Sequence, residues 1–199
     1  MPSNADSANP VIVFVDGGTK TIKDNSVKRG KVVVGGIAAI CFHDLGVTAV
    51  SHFVPETKQV TNQRMELLAI GLGVTIHNQL KQNNQALKLW SDSAYAIGIL
   101  QPKKSNWIAK TNLDFVEPLR DKISSVKNIT ITHVRSHVRD KFGLPDVFPH
   151  EFVDKLAARS IKEKQSIVIQ IGTTKVTRDC IGCQRFPCRE LTDPYKKPF

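Results

Sequence analysis

The chain has 199 residues, 41% of them apolar, and a formal charge of +10 from 28 Lys plus Arg against 18 Asp plus Glu, giving a pI near 9.6. That length suits one domain with a sizeable core plus an appended segment. The polar start Met1–Asn9 has no signal-peptide pattern. The longest apolar run, Val32 to Phe42, holds two glycines and is too short to cross a bilayer. Neither a secreted nor a membrane-embedded protein is expected.

The surplus of positive charge points to a polyanionic partner, nucleic acid before an anionic membrane surface. A basic protein kept soluble by its charge is the plain alternative. Cys41 sits in an apolar run and reads as a buried thiol. The other cysteines crowd into the tail, and an intracellular, cytoplasmic or nuclear, reducing compartment fits this usage.

In chain order, Val11 to Val15 is β-branched or aromatic throughout and predicts a strand buried on both faces. It ends in Asp16-Gly17-Gly18. The following segment carries Lys20, Lys23, Lys28, Arg29 and Lys31 and reads as a basic loop. Val32 to Phe42 and Val47 to Val54 predict two more strands, giving an antiparallel meander. Pro55 to Thr61 leads into a helix running to about Asn78, with apolar Met65, Leu68, Ala69, Leu72 and Ile76 at helical spacing. Thr61 or Asn62 can cap its first turn.

Leu87 to Trp90 predicts a short strand stopping at Ser91-Asp92-Ser93. Tyr95 to Leu100 begins a second helix, ended by Pro102, and Leu113 to Ser124 a third. Ile129 to Val134 reads as a strand, His137 to Pro149 as a long polar loop, and Glu151 to Lys164 as the last helix. The order is βββαβααβα, an α/β arrangement of three antiparallel strands followed by two parallel ones, five in all, with helices on both faces. Ile167 to Val176 could add one strand or a hairpin. A boundary falls near residue 165, separating a disordered start (1–9) and a domain over 10–165 from an extension over 166–199.

Four carboxylates draw attention. Asp16 and Asp92 each follow a predicted strand directly, and parallel neighbouring strands would bring both to the carboxyl edge where α/β sheets bind ligands. Taken singly, Asp16-Gly17-Gly18 reads more readily as a turn, and Ser91-Asp92-Ser93 more readily as a helix cap. Glu66 and Asp154 both flank apolar helical stripes, and the simple reading of Glu66 is a first-turn acid favoured by the helix dipole.

The blocks Val13-Phe14-Val15-Asp16-Gly17, Thr61-Asn62-Gln63-Arg64-Met65-Glu66-Leu67, Ser91-Asp92-Ser93-Ala94-Tyr95 and Phe152-Val153-Asp154-Lys155-Leu156-Ala157 stand in the order found in type 1 ribonuclease H. Over about residues 10 to 165 the chain resembles that family, and the second block is the most specific. The resemblance implies a ribonuclease H-like fold and hydrolysis of the RNA strand of RNA/DNA hybrids to 5′-phosphate and 3′-hydroxyl ends. It implies that Asp16, Glu66, Asp92 and Asp154 hold two Mg²⁺ ions about 3.5–4 Å apart, with Mn²⁺ as a substitute. One ion would activate the attacking water and the other stabilise the leaving oxygen.

His137 matches the loop histidine that assists proton transfer and product release, and His133 reads as structural. Two departures from the family pattern stand out: a longer loop from His137 to Asp154, and His150 where an asparagine or similar polar residue is common. The resemblance also implies a hybrid held by its minor groove, with 2′-hydroxyls distinguishing RNA from DNA. Gly17, Thr61, Asn62, Gln63, Ser93, Tyr95 and Trp107 match substrate-contacting positions. Caps for Thr61, Asn62 and Ser93, and core packing for the aromatics, are the plainer readings.

Cys180, Cys183 and Cys188 have part of a zinc spacing without a fourth ligand. Zinc is therefore not expected, and a labile disulfide or a disordered tail that binds a protein partner fits better. A monomeric, membrane-free nuclease is the reading. Its rivals are an inactive hybrid-binding module and a same-fold nuclease acting on another nucleic acid.

Overall fold

A computed structural model describes residues 9–26, 28, 30–57, 59–80, 85–101, 112–135 and 148–172. The strands are β1 (Val11–Lys23), β2 (Lys31–His43), β3 (Gly46–Val54), β4 (Leu87–Ser91), β5 (Ile129–His133) and β6 (Ile167–Gly172). The helices are α1 (Asn62–Gln79), α2 (Ala94–Leu100), α3 (Leu113–Ser124) and α4 (Phe148–Glu163). One mixed sheet has the order β5-β4-β1-β2-β3-β6. β1, β2 and β3 form the expected antiparallel meander, while β4 and β5 add in parallel on the β1 side.

The sheet has six strands rather than five. Residues after 166 pair antiparallel with β3, from Ser51↔Ile167 to Gly46↔Gly172. Ile167, Ile169 and Ile171 pack on the apolar face beneath α4 while Val168 points outward, 62% exposed. This alternation gives the sixth strand a reason to dock: it covers the β3 edge and half-buries three isoleucines.

The basic segment after Gly18 is strand as far as Lys23 and again from Lys31, rather than loop throughout. The β1–β2 ladder continues through Lys20↔Val34 and Ile22↔Val32 to Lys23↔Lys31. Ile22, Val32 and Val34 pack with Ile161 at the end of α4, so one face of the hairpin is apolar enough to hold the ladder.

Two apolar layers sandwich the sheet. Val11, Val13 and Val15 of β1 face α1, α2 and α3, joined by Leu67, Ile70, Val74, Ile99 and Val116. The alternate residues Ile12 and Phe14 face α4, with Ile40, Phe42, Val153 and Leu156. α1 buries more than one narrow stripe: Leu67, Ile70 and Val74 are inaccessible beside Met65 and Ala69, because the helix lies between the sheet and α3. Fully burying such aliphatic side chains stabilises the fold by about 1.5–3 kcal/mol each.

Glycines let both helices come close. A Cβ at Gly17 would lie 2.3 Å from the Met65 carbonyl oxygen, and one at Gly36 would lie 2.4 Å from that of Ala157. Gly17 thus seats the first turn of α1 on β1, and Gly36 seats the middle of α4 on β2, from opposite faces of the sheet.

Candidate active site

The site grows from the register of two parallel strands. Phe14 of β1 is paired with Trp90 of β4, and their rings stack with centroids 5.9 Å apart. Two residues further on come Asp16, still in β1, and Asp92, one residue past the end of β4. The His133 Nε2–H donates to the Asp92 carbonyl oxygen at 3.0 Å, so the strand beyond β4 anchors that aspartate's backbone. Asp16 is steadied by the Gly17 backbone N–H, which donates to Oδ1 at 2.8 Å.

The α4 helix closes the site from above. His150 and Asp154 are four residues apart and so lie on one side of the helix. One ligand atom each of Asp16, Asp92 and His150 falls within 4.8 Å of the others, making these three a candidate metal group among the described residues. His150 is only 4% exposed. Its Nε2 lies 3.5 Å from Asp92 Oδ1 but makes no hydrogen bond; the distance is at the limit of range, and proximity rather than an aligned bond relates the two groups.

Burial and the neighbouring Asp92 and Asp154 charges raise the Asp16 carboxyl to about 7, opposed by His150 and the Gly17 N–H. The His150 imidazole is itself raised: burial works against its charged form, but Asp92, then Asp16 and Asp154, outweigh that. Both shifts favour the protonated forms, so the pocket lacks positive charge.

Glu66 reaches the site from the α1 face. Its Oε1 accepts from Asn62 Nδ2 at 2.8 Å, and its Oε2 accepts from the Ser93 hydroxyl. Burial holds its carboxyl above the ordinary range; the Ser93 bond pulls the other way and the Asp92 charge adds to the rise. Ser93 also caps α2, its Oγ accepting from the Ala96 N–H at 3.0 Å. One hydroxyl therefore ties the helix after Asp92 to Glu66.

The remaining expected residues divide between the exposed surface and internal structure. Thr61 caps α1 through the Arg64 N–H at 3.2 Å, and Asn62 and Gln63 are exposed beside it. Tyr95 accepts from Asn112 Nδ2 at 3.0 Å and packs on the core. Gly17 has the close-approach role described above. His137, Trp107, Cys180, Cys183 and Cys188 lie outside the described residues.

Two participants were not singled out from the sequence as site residues. His150 joins the carboxylates, and its signals in the sequence are the four-residue spacing to Asp154 and its place where the family commonly has an asparagine or similar polar residue. Arg64 grips Asp114 through two contacts, at 2.6 and 3.3 Å, and lies over the Phe115 ring at 5.6 Å. It clamps α1 to α3, a contact between elements 50 residues apart that no local pattern reveals.

Asp16 and Asp92 thus meet His150 at the carboxyl edge of a mixed sheet that carries helices on both faces. The RNase H family model matches residues 8–162. The chain belongs to the type 1 ribonuclease H family and is a nuclease of that family.

Solved structures share the fold at low identity. LC11-RNase H1, isolated from compost by a metagenomic approach, superposes with a TM-score of 0.53 at 18% identity, covering 78% of this chain and 98% of the other. RNase H1 from the halophilic archaeon Halobacterium salinarum gives 0.53 at 16%, over 78% and 99%. The prototype foamy virus protease-reverse transcriptase gives 0.56 at 15%, over 80% of this chain and 22% of the viral one. No curated protein sequence matches.

The family uses divalent metal ions, and the donor set fits them. Asp16 and Asp92 offer hard oxygen ligands. Burial first, and then the Asp92 and Asp154 charges, disfavour the ionised Asp16 carboxyl, and a cation would offset both effects. Among the described residues no helix is long and apolar enough to cross a membrane.

Proposed function

We propose that this protein is an endonuclease that hydrolyses the RNA strand of RNA/DNA hybrids, leaving 5′-phosphate and 3′-hydroxyl ends. The observation that carries the reading is the meeting of Asp16 and Asp92 beneath α4 at the carboxyl edge of the sheet, in a chain of the ribonuclease H family. A structural relative, LC11-RNase H1, has been solved in complex with an RNA/DNA hybrid, which supports this substrate class.

In this reading Asp16, Asp92, Glu66 and Asp154 hold Mg²⁺, with Mn²⁺ able to replace it. When bound, the divalent ions neutralise the carboxylates, lower the pKa of an attacking water and stabilise the leaving 3′ oxygen. The chain's own contribution is placement. Asn62 and Ser93 fix both oxygens of Glu66, His133 fixes the Asp92 backbone, and Gly17 fixes the spacing between β1 and α1. Exposed Asn62 and Gln63 reach the minor groove, where 2′-hydroxyls identify the RNA strand. His137 assists proton transfer and Trp107 lies against the DNA strand, roles that rest on their motif positions.

The test is cleavage of one labelled RNA strand presented alone, paired with RNA, and paired with DNA, each with Mg²⁺ and with EDTA, alongside Asp16→Asn. Cutting confined to the hybrid, and lost with EDTA or in the variant, is expected. Tight hybrid binding without cutting would instead make the protein a binding module. Cutting of other duplexes would leave the nuclease and move its substrate class.

A further inference from the structure

We infer that the imidazole of His150 is a ligand of the metal held by Asp16 and Asp92, and that it makes this centre prefer a first-row transition ion such as Mn²⁺ over Mg²⁺. The inference rests on the metal-dependent reading above and deepens it.

The first observation is the position of a nitrogen where an all-oxygen cluster is expected. The ligand atoms of Asp16, Asp92 and His150 lie within 4.8 Å of one another. The 3.5 Å between His150 Nε2 and Asp92 Oδ1 is a spacing that two ligands of one ion can take, since metal–ligand bonds of about 2.0–2.2 Å place neighbouring ligands roughly 3–3.5 Å apart.

The second observation concerns the nitrogen itself. Nε2 is a buried polar atom without a hydrogen-bond partner, on a side chain 5% exposed. Such atoms are rare because leaving one unsatisfied costs about 1–3 kcal/mol. His150 is also not free to turn away, being fixed near the start of α4, with Phe152 and Val153 after it packed in the core. A metal ion on Nε2 would satisfy the atom with no change of backbone.

Chemistry then sets the preference. Mg²⁺ is a hard ion that favours oxygen and gives up its waters reluctantly, whereas imidazole suits first-row transition ions. Replacing one expected oxygen ligand by nitrogen therefore weakens Mg²⁺ relative to Mn²⁺, Co²⁺ or Zn²⁺. Ligation through Nε2 requires the tautomer with its proton on Nδ1.

The experiment uses the full chain and reads binding rather than turnover. Mn²⁺ and Mg²⁺ affinities are measured by calorimetry for the natural protein and for His150→Asn. Hyperfine coupling to the bound Mn²⁺ is recorded by pulsed electron paramagnetic resonance, with the protein carrying ¹⁵N at histidine only. The expected result is a histidine-nitrogen coupling that disappears in His150→Asn, with Mn²⁺ affinity falling about tenfold or more and Mg²⁺ affinity changing by less than about threefold.

Mn²⁺ binding without nitrogen coupling would overturn the inference while leaving the metal-dependent reading intact. Tighter binding of both ions to His150→Asn would overturn it too, because His150 would then be a cation in competition with the metal. Failure of the natural protein to bind either ion would remove the metal-dependent reading itself. Circular dichroism of His150→Asn, and the less disruptive His150→Gln, keep the comparison sound if the first variant folds poorly.

Discussion

Gly17 and Met65 are in backbone contact: a Cβ on the glycine would stand 2.3 Å from the Met65 carbonyl oxygen and 2.9 Å from the Glu66 nitrogen. The strand that carries Asp16 and the helix that carries Glu66 are therefore spaced by the absence of one side chain. Gly17→Ala must push α1 off β1 at the point where the two carboxylates approach each other. Overpacking of this kind costs about 1–3 kcal/mol. A misplacement near 1 Å costs roughly 100-fold in rate. Denaturant unfolding and hybrid-cleavage rates, measured together, should show both losses, with the larger relative effect on kcat.

Asp16 and His150 give the metal-free protein a definite pH dependence. Both groups titrate higher in the folded state than in the unfolded chain, so the native state binds the extra protons. Their contribution to stability is present at low pH and lost as pH rises through the folded values, for Asp16 between about 4 and about 7. Melting in EDTA should therefore show a lower Tm at pH 8 than at pH 5.5. Asp16→Asn removes a carboxylate that cannot easily ionise and should raise the pH 8 value by a few degrees, while abolishing cleavage.

Ser93 serves two partners at once, donating to Glu66 and accepting from Ala96. Ser93→Ala should cost about 1 kcal/mol of stability through the lost cap. It also removes the bond that lowers the Glu66 carboxyl, leaving burial and Asp92 to push it up further. The acid limb of the pH–rate profile should then move to higher pH. Ser93→Thr, which keeps the hydroxyl, should restore most of both effects.

The β1–β2 hairpin is expected to act as an electrostatic arm for the substrate. Lys23 and Lys31 stand directly opposite each other, both exposed, with exposed Lys28 in the turn between them. Like charges facing across strands are unfavourable, and a phosphate would relieve them. Lys23 is seven residues beyond Asp16, roughly 23 Å at 3.3 Å per residue. That reaches about seven phosphates along one strand at 3.4 Å each. Changing Lys23, Lys28 and Lys31 together to Gln should weaken binding of long hybrids and lower the salt slope by roughly 2–3. Hybrids too short to reach the hairpin should be unaffected.

β6 is expected to stabilise the domain although the family match ends at residue 162. Truncation after Gln165 removes Ile167, Ile169 and Ile171 from the face beneath α4 and uncovers the β3 edge. A loss of about 2–4 kcal/mol follows from three half-buried isoleucines, and the bare edge invites aggregation. Urea unfolding and light scattering of the truncated chain measure the two consequences separately.

The order βββαβααβα was legible in the sequence, because periodicity is a local property. Val11 to Val15 reads as a strand with two covered faces, and the spacing after Met65 reads as a helix, although Leu68 and Leu72 of that spacing are only partly buried. The sequence also supplied the motif blocks that name the family, since Asp16, Glu66, Asp92 and Asp154 each sit in a short stretch of fixed composition. Where local chemistry was mixed, the sequence was mute. The hairpin from Gly18 to Lys31 reads as a polar loop because its lysines hide the alternation of Ile22, Val32 and Val34, and only the ladder to β2 and the end of α4 reveal it. β6 likewise depends on an edge that β3 offers from over 100 residues away. The meeting of His150 with Asp16 and Asp92 comes from the fold. That contact requires α4 to lie close against β2 over Gly36 and β4 to run parallel beside β1, and both are long-range packing events that no window of the sequence contains.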